Sequence, residues 1–257
     1  MSSECLASER FSATDSDVTF ESADSVLFKL HRANLSTHSS IFPVGSEIRS
    51  DGEVVKLQED SEVLEVLFQH VYPGDIPTMD DIPFPLLSRI ADAAQKYQIT
   101  VAMEICRLHM RNHIISHPLG VFAYAVKHGY DSMADQTALR TLDYEPQSVL
   151  NATGPVHFAH WVLYRDHWIK VRDSFLLCSE LDKSHLDGCH ERWRAGRPKA
   201  WPVKLAALQD TDAFFAPVLA ISTSLCNKCP RWWQDRVARF KSLVEAIPTY
   251  THVARSL

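Results

Sequence analysis

Apolar and polar residues alternate in two short runs near the start of the chain. Val18 and Phe20 alternate with Thr19 and Glu21, and Val26, Phe28 and Leu30 with Leu27, Lys29 and His31. Period two over both runs, with Ser22 to Ser25 between them, predicts a β-hairpin with one apolar face. Leu35, Ile41 and Phe42 follow in a segment of weak helical character that ends at Pro43. A third strand is expected at Val54 to Leu57, after the Asp51-Gly52 turn. The period then lengthens. Val63, Leu64, Leu67, Phe68 and Val71 recur at three and four behind Asp60, a helix cap, and Pro73-Gly74 stops the run. A second helix is predicted from Pro85 to Tyr97, presenting Leu87, Ile90, Ala91 and Ala94. A third, capped by Thr100, carries Val101, Ile105 and Leu108 and ends before Pro118.

Beyond Pro118 no strand pattern is found. Helices are predicted at Phe122 to Lys127, Met133 to Leu142 and Val156 to Leu181, the last with Phe158, Trp161, Val162, Ile169, Phe175 and Leu176 as its apolar stripe. Gly188 to Pro202, with Gly196 and Pro198, reads as an irregular connector. Two more helices are expected near Val203 to Leu219 and Pro230 to Ile247. The expected fold class is α+β: a short sheet flanked by helices, then an all-helical region. Residues 1–14 hold little that can be buried and are expected to be a disordered tail. The domain would occupy 15–115, a helical extension 116–182, and a C-terminal helical region 183–257.

Composition narrows the function classes. With 46% apolar and 23% charged residues the chain has the make-up of a globular protein, and its net charge of -6 gives no global field to gather phosphates. Nucleic acid is therefore a poor default partner. No run approaches the roughly 20 apolar residues that cross a bilayer, and the serine-rich, acidic start lacks the apolar core of a secretory signal. A cytoplasmic or nuclear location without a membrane partner is expected, and there six cysteines would be free thiols or metal ligands.

The segment DSDVTFESADSVLFKLHRANLSTHSSIF resembles the opening of a BTB/POZ domain. Asp17 precedes a strand, a second strand ends in His31-Arg32, and Leu35, Ser39 and Phe42 follow in that family's order. VVKLQEDSEVLEVLFQHVYPGD continues the likeness, with Tyr72-Pro73-Gly74 as the family's Tyr-x-Gly turn, over about residues 15 to 115. With its Trp- and Cys-containing helical tail, the arrangement looks most like the fungal BTB/POZ-like group. The resemblance implies a protein interaction module that self-associates through its N-terminal segment and first helix, here around Val18 and Phe20. It also implies an alternative, a substrate adaptor for a cullin-type ubiquitin ligase. Cullin-binding members carry an apolar-x-Glu element whose nearest match is Met79-Asp80-Asp81, with Asp81 in place of Glu. His31 is expected to be architectural, its ring satisfying a buried backbone group where strand turns to helix.

Cys226-Asn-Lys-Cys229 is the sharpest chemical signal. A two-residue gap lets both thiolates reach one tetrahedral metal, and Pro230 then starts a helix whose free N–H groups favour them. Cys189 and His190 are the expected second pair for a structural zinc, with His185 and Cys178 as alternates; the competing readings are two buried free thiols or a redox pair. His157, His160 and His167 are expected on a solvated helix face. No G-x-S-x-G elbow, G-x-G-x-x-G run or Walker loop occurs, so no enzyme is predicted. Arg192, Arg194, Arg197 and Lys199, interleaved with Trp193 and Trp201, leave a third alternative, a zinc-stabilised transcription-associated or nucleic-acid-binding factor.

Overall fold

The computed structural model describes residues 6–42, 54–74, 77–177, 189, 204–222 and 226–257. The chain divides into two compact units at His117/Pro118, two residues beyond the expected boundary. The architecture is α+β, as the periodicities require.

In the first unit four strands, β1 (Leu6–Ser12), β2 (Val18–Glu21), β3 (Val26–Leu30) and β4 (Val54–Lys56), form one sheet in the order β1-β3-β2-β4. The hairpin pairs β2 antiparallel to β3, placing Phe20 opposite Phe28, while β4 runs parallel to β2 with Val55 opposite Phe20. Among the described residues four helices flank the sheet: α1 (Arg32–His38), α2 (Ser61–Gln69), α3 (Phe84–Lys96) and α4 (Thr100–Asn112), the last packing on α3. Their common centre is Phe68 of α2, fully buried, with ring centroids of Phe11, Phe20, Phe28 and Phe42 between 5.5 and 6.3 Å away. Phe42 then stacks on Tyr97 at 4.8 Å, which carries the core to the end of α3.

Residues 6–12 are not the tail that was expected. Phe11 is 4% exposed and packs against Phe28, Phe68 and Tyr72, and Ser8 donates to Glu65 at 2.8 Å, so this segment docks as a sheet edge. One buried ring in an otherwise polar stretch is too little to show as period two. On α4 the inward stripe is Ala102, Cys106 and Met110, spaced by four, while Val101 and Leu108 are exposed. Thr100 is not the cap: Ile99 holds that position, with no side-chain bond.

Two carboxylates meet the start of α2. Asp60 accepts from the Val63 N–H at 3.1 Å, as its position predicts, and Asp24, from the hairpin turn, accepts from the Ser61 N–H and hydroxyl at 2.8 and 2.6 Å. Burial is the largest single influence on the Asp24 carboxylate and works to raise its pKa, but the hydrogen bonds from Ser22 and Ser61 together outweigh it and hold the pKa down to about 2.

The second unit contains α5 (Pro118–His128), α6 (Asp131–Arg140), α7 (Pro146–Leu177), a 3-10 turn at Leu205–Gln209, α8 (Thr211–Ser222), α9 (Cys229–Glu245) and α10 (Tyr250–Arg255). α7 begins ten residues before the predicted start. It is broken at Gly154, whose φ of 74° and ψ of 172° lie outside the helix and are followed by Pro155. Its buried face is Trp161, Tyr164 and Trp168, and Val162 points outward; side chains 175–177 lie outside the described residues. His157 and His160 are half-buried rather than solvated. Polar side chains fasten this unit. Trp161 Nε1 donates to Thr141 Oγ1 at 2.9 Å, Asp143 accepts from the Leu205 and Ala206 N–H groups, and Asp135 accepts from Thr251 at the start of α10. The six-residue α10, capped by Thr249 onto the His252 N–H, is too short to register as a periodicity. The predicted connector Gly188 to Pro202, apart from Cys189, and the Asp51-Gly52 turn lie outside the described residues.

Two measurements test this packing. Phe68→Ala removes the ring that four others meet, and denaturant unfolding of the full chain is expected to show a loss of about 3–5 kcal/mol. Asp24→Ala tests the carboxylate. Because the folded pKa lies below the ordinary 3.8, the contribution of Asp24 is present above pH 4 and is lost as pH falls toward about 2. The variant is expected to be slightly less stable at neutral pH and to show a shallower decline in stability through that window.

Candidate functional site

The family-like residues converge at one corner, where β3 turns into α1. Asp17 Oδ1 accepts from the Arg32 N–H at 2.8 Å, and the His31 N–H donates to the Tyr72 hydroxyl at 3.0 Å. Two amides at the opening of α1, orphaned by helix geometry, are thus satisfied by Asp17, just before β2, and by Tyr72, three residues beyond α2. The His31 ring also bonds the Tyr72 hydroxyl, with Nδ1 at 2.9 Å, while Nε2 lies 3.3 Å from Asp15. The ring was expected to satisfy a backbone group; the backbone bond belongs instead to the His31 amide, and the ring's partner is a side chain. Burial raises the Tyr72 pKa, so the hydroxyl stays protonated at neutral pH.

Ser39 closes the other end of α1. Its hydroxyl donates to the Tyr97 carbonyl and accepts from the Ile41 and Phe42 N–H groups, both at 3.2 Å, turning Phe42 into the core. Leu35 is buried beneath α1. Gly74, with φ of 144°, adopts a backbone conformation that L side chains rarely take, as the Tyr-x-Gly turn demands. Each motif residue is accounted for by architecture.

The expected interaction residues separate into two groups. Val18 and Phe20 face the domain's own core and offer nothing to a second molecule, because β2 is an inner strand of the sheet. Met79 is also buried, with its Sδ 4.0 Å from Cys106 Sγ, so only Asp80 and Asp81 of that element are exposed. Cys106 is inert there, burial pushing its thiol up to about 12. The surface that is open belongs to β1. It pairs parallel with β3 only through Leu6, Ala7 and Ser12, with a bulge between Ala7 and Ser12, and its other edge has no neighbouring strand among the described residues. Leu6 is 71% exposed. A cleft of about 210 Å³ adjoins β1, lined by Arg10, Lys29, Tyr72 and Gly74 among others. The sequence signal for this edge was confined to Leu6 and Phe11, five residues apart and out of strand phase with a flat sheet.

A second site lies in the helical unit. Cys226 precedes a turn closed by the Cys229 N–H on the Cys226 carbonyl at 3.1 Å, and Cys229 is the first residue of α9. The two sulfurs stand 3.4 Å apart, and Cys189 Sγ joins them so that all three lie within 4.8 Å of one another. All three residues are buried. Burial raises the Cys229 pKa, and the neighbouring Cys226 and Cys189 sulfurs raise it further, because each disfavours a second negative charge beside it. His190, the expected fourth member, lies outside the described residues, as do Arg192, Arg194, Arg197 and Lys199.

Comparison with known proteins bears on the first unit. The family model of the BTB/POZ domain matches residues 8–114, so it begins inside β1 and ends just after α4. No curated protein matches the chain. BTB/POZ domains are in general interaction modules rather than enzymes. The matched span, the four-stranded mixed sheet with its helical cover, and the helical region that follows make this chain a BTB/POZ domain-containing protein.

Proposed function

We propose that this protein is a self-associating scaffold whose BTB/POZ domain joins two copies through β1. Protein–protein interaction is the general role of the domain, and self-association is among the forms it takes in the family. The observation that carries the reading is the state of β1. It is a terminal strand, held in place by Phe11 yet paired to β3 at only a few positions, with its outer edge exposed. An edge of this kind has unpaired N–H and C=O groups that a second strand can meet, and apolar Leu6 lies on it.

Two copies meeting here would form a two-fold interface, in which the same patch serves both partners. The cleft beside β1, bordered by Arg10 and Lys29, would be covered in the same step. The C-terminal helical unit then remains available to hold a further partner. With two copies joined, that unit is presented twice, which raises the avidity of any target that carries two matching sites.

Sedimentation velocity of the full chain over a range of concentrations tests the proposal. A monomer–dimer equilibrium that shifts toward monomer on dilution is expected. Leu6→Lys is expected to weaken the dimer about tenfold or more, about 1.4 kcal/mol, with the denaturation midpoint unchanged at dilutions where both chains are monomeric, because Leu6 is exposed in the single chain. A chain that stays monomeric at its highest soluble concentration overturns self-association. A dimer unaffected by Leu6→Lys overturns the role of β1.

A further inference from the structure

We infer that Cys189, Cys226 and Cys229 bind one zinc ion as thiolates, a structural site in the helical unit that is separate from the interaction module. The inference rests on geometry. Two sulfurs bound to one zinc at about 2.3 Å stand roughly 3.8 Å apart in a tetrahedron. Here one pair is 3.4 Å apart and every pair lies within 4.8 Å, so a single ion reaches all three with small side-chain adjustments.

The backbone supports the same reading. The turn from Cys226 to Cys229 brings two thiols to one side, and Cys229 opens the 17-residue α9, whose first N–H groups favour negative charge. Soft thiolate donors select zinc over the hard divalent cations, which prefer oxygen. The fourth position falls to a donor outside this trio.

Binding has a defined balance. Three thiols lose three protons, three Zn–S bonds form, and no oxidant or reductant is needed. The ion would tie Cys189 to Cys226 across 36 intervening residues, a loop whose closure restricts the unfolded chain.

The test uses the full chain expressed with zinc and purified under reducing conditions, without chelator. Native mass spectrometry is expected to show about one zinc per chain. After removal of the metal, Co²⁺ is expected to restore binding with the intense visible and thiolate charge-transfer bands of a tetrahedral sulfur site. Alkylation of the unmodified protein provides a readout free of folding defects: modification of these three cysteines should rise on chelation and fall when zinc is returned. Cys189→Ser, Cys226→Ser and Cys229→Ser should each lose zinc, and Cys106→Ala, in the other unit, should keep it. Metal-free protein that gives no cobalt spectrum overturns the inference. So does an intact mass two hydrogens light that maps to a Cys226–Cys229 disulfide, or zinc retained in all three Ser variants.

Discussion

The N-terminal unit depends on the burial of one ring. Its strands are seven, four, five and three residues long, and a sheet that small has too little area to stand alone in water. Phe68 supplies the missing contact. Because it projects from α2 into the face of the sheet, Phe11 docks β1 against it, Phe20 and Phe28 dock the hairpin, and Phe42 docks the chain leaving α1. Tyr97, stacked on Phe42, extends the cluster to α3. The polar corner at His31 follows from the same arrangement. Once Phe68 is seated, the end of α2 lies beside the start of α1, and Tyr72 can reach the His31 amide.

Much of this was legible in the amino-acid order. The hairpin, the Asp60 cap and the buried rows of α2 and α3 follow from period and capping alone, because the apolar spacing of those strands and helices coincides with the face that is covered. The exceptions share a cause. β1 contributes one ring to the core, α4 buries Ala102 and Cys106 in preference to larger neighbours, and Val18 and Phe20 serve the fold rather than a partner. Apolar pattern identifies the residues that leave water without telling which surface receives them, so inner and outer strands look alike. The convergence of Cys189 with Cys226 and Cys229 was suggested by residue type; only the fold brings them within 4.8 Å.

Both units pack rings on rings, in the second through Phe122, Tyr164 and Tyr250 and through Phe215 and Phe240. In the first, hydrogen bonds at the ends of α1 and the start of α2 join the elements around that core. In the second, helices are fastened by single side chains that reach across to another segment's backbone or hydroxyl, as Asp143, Asp135 and Trp161 do. Such bonds are directional and local. They fix where each helix begins rather than how much surface it buries, which suits a helical unit whose longest element is interrupted at Gly154.

The place of β1 decides what counts as the whole domain. The alternating apolar pattern starts only near Asp17, so a fragment cut at Asp15 would keep every strand that this pattern predicts. It would leave β3 as the bare margin of the sheet, with Phe28, Phe68 and Tyr72 stripped of the Phe11 ring that shields them. The shielding of that core thus depends on a strand of which the family model covers all but the first two residues.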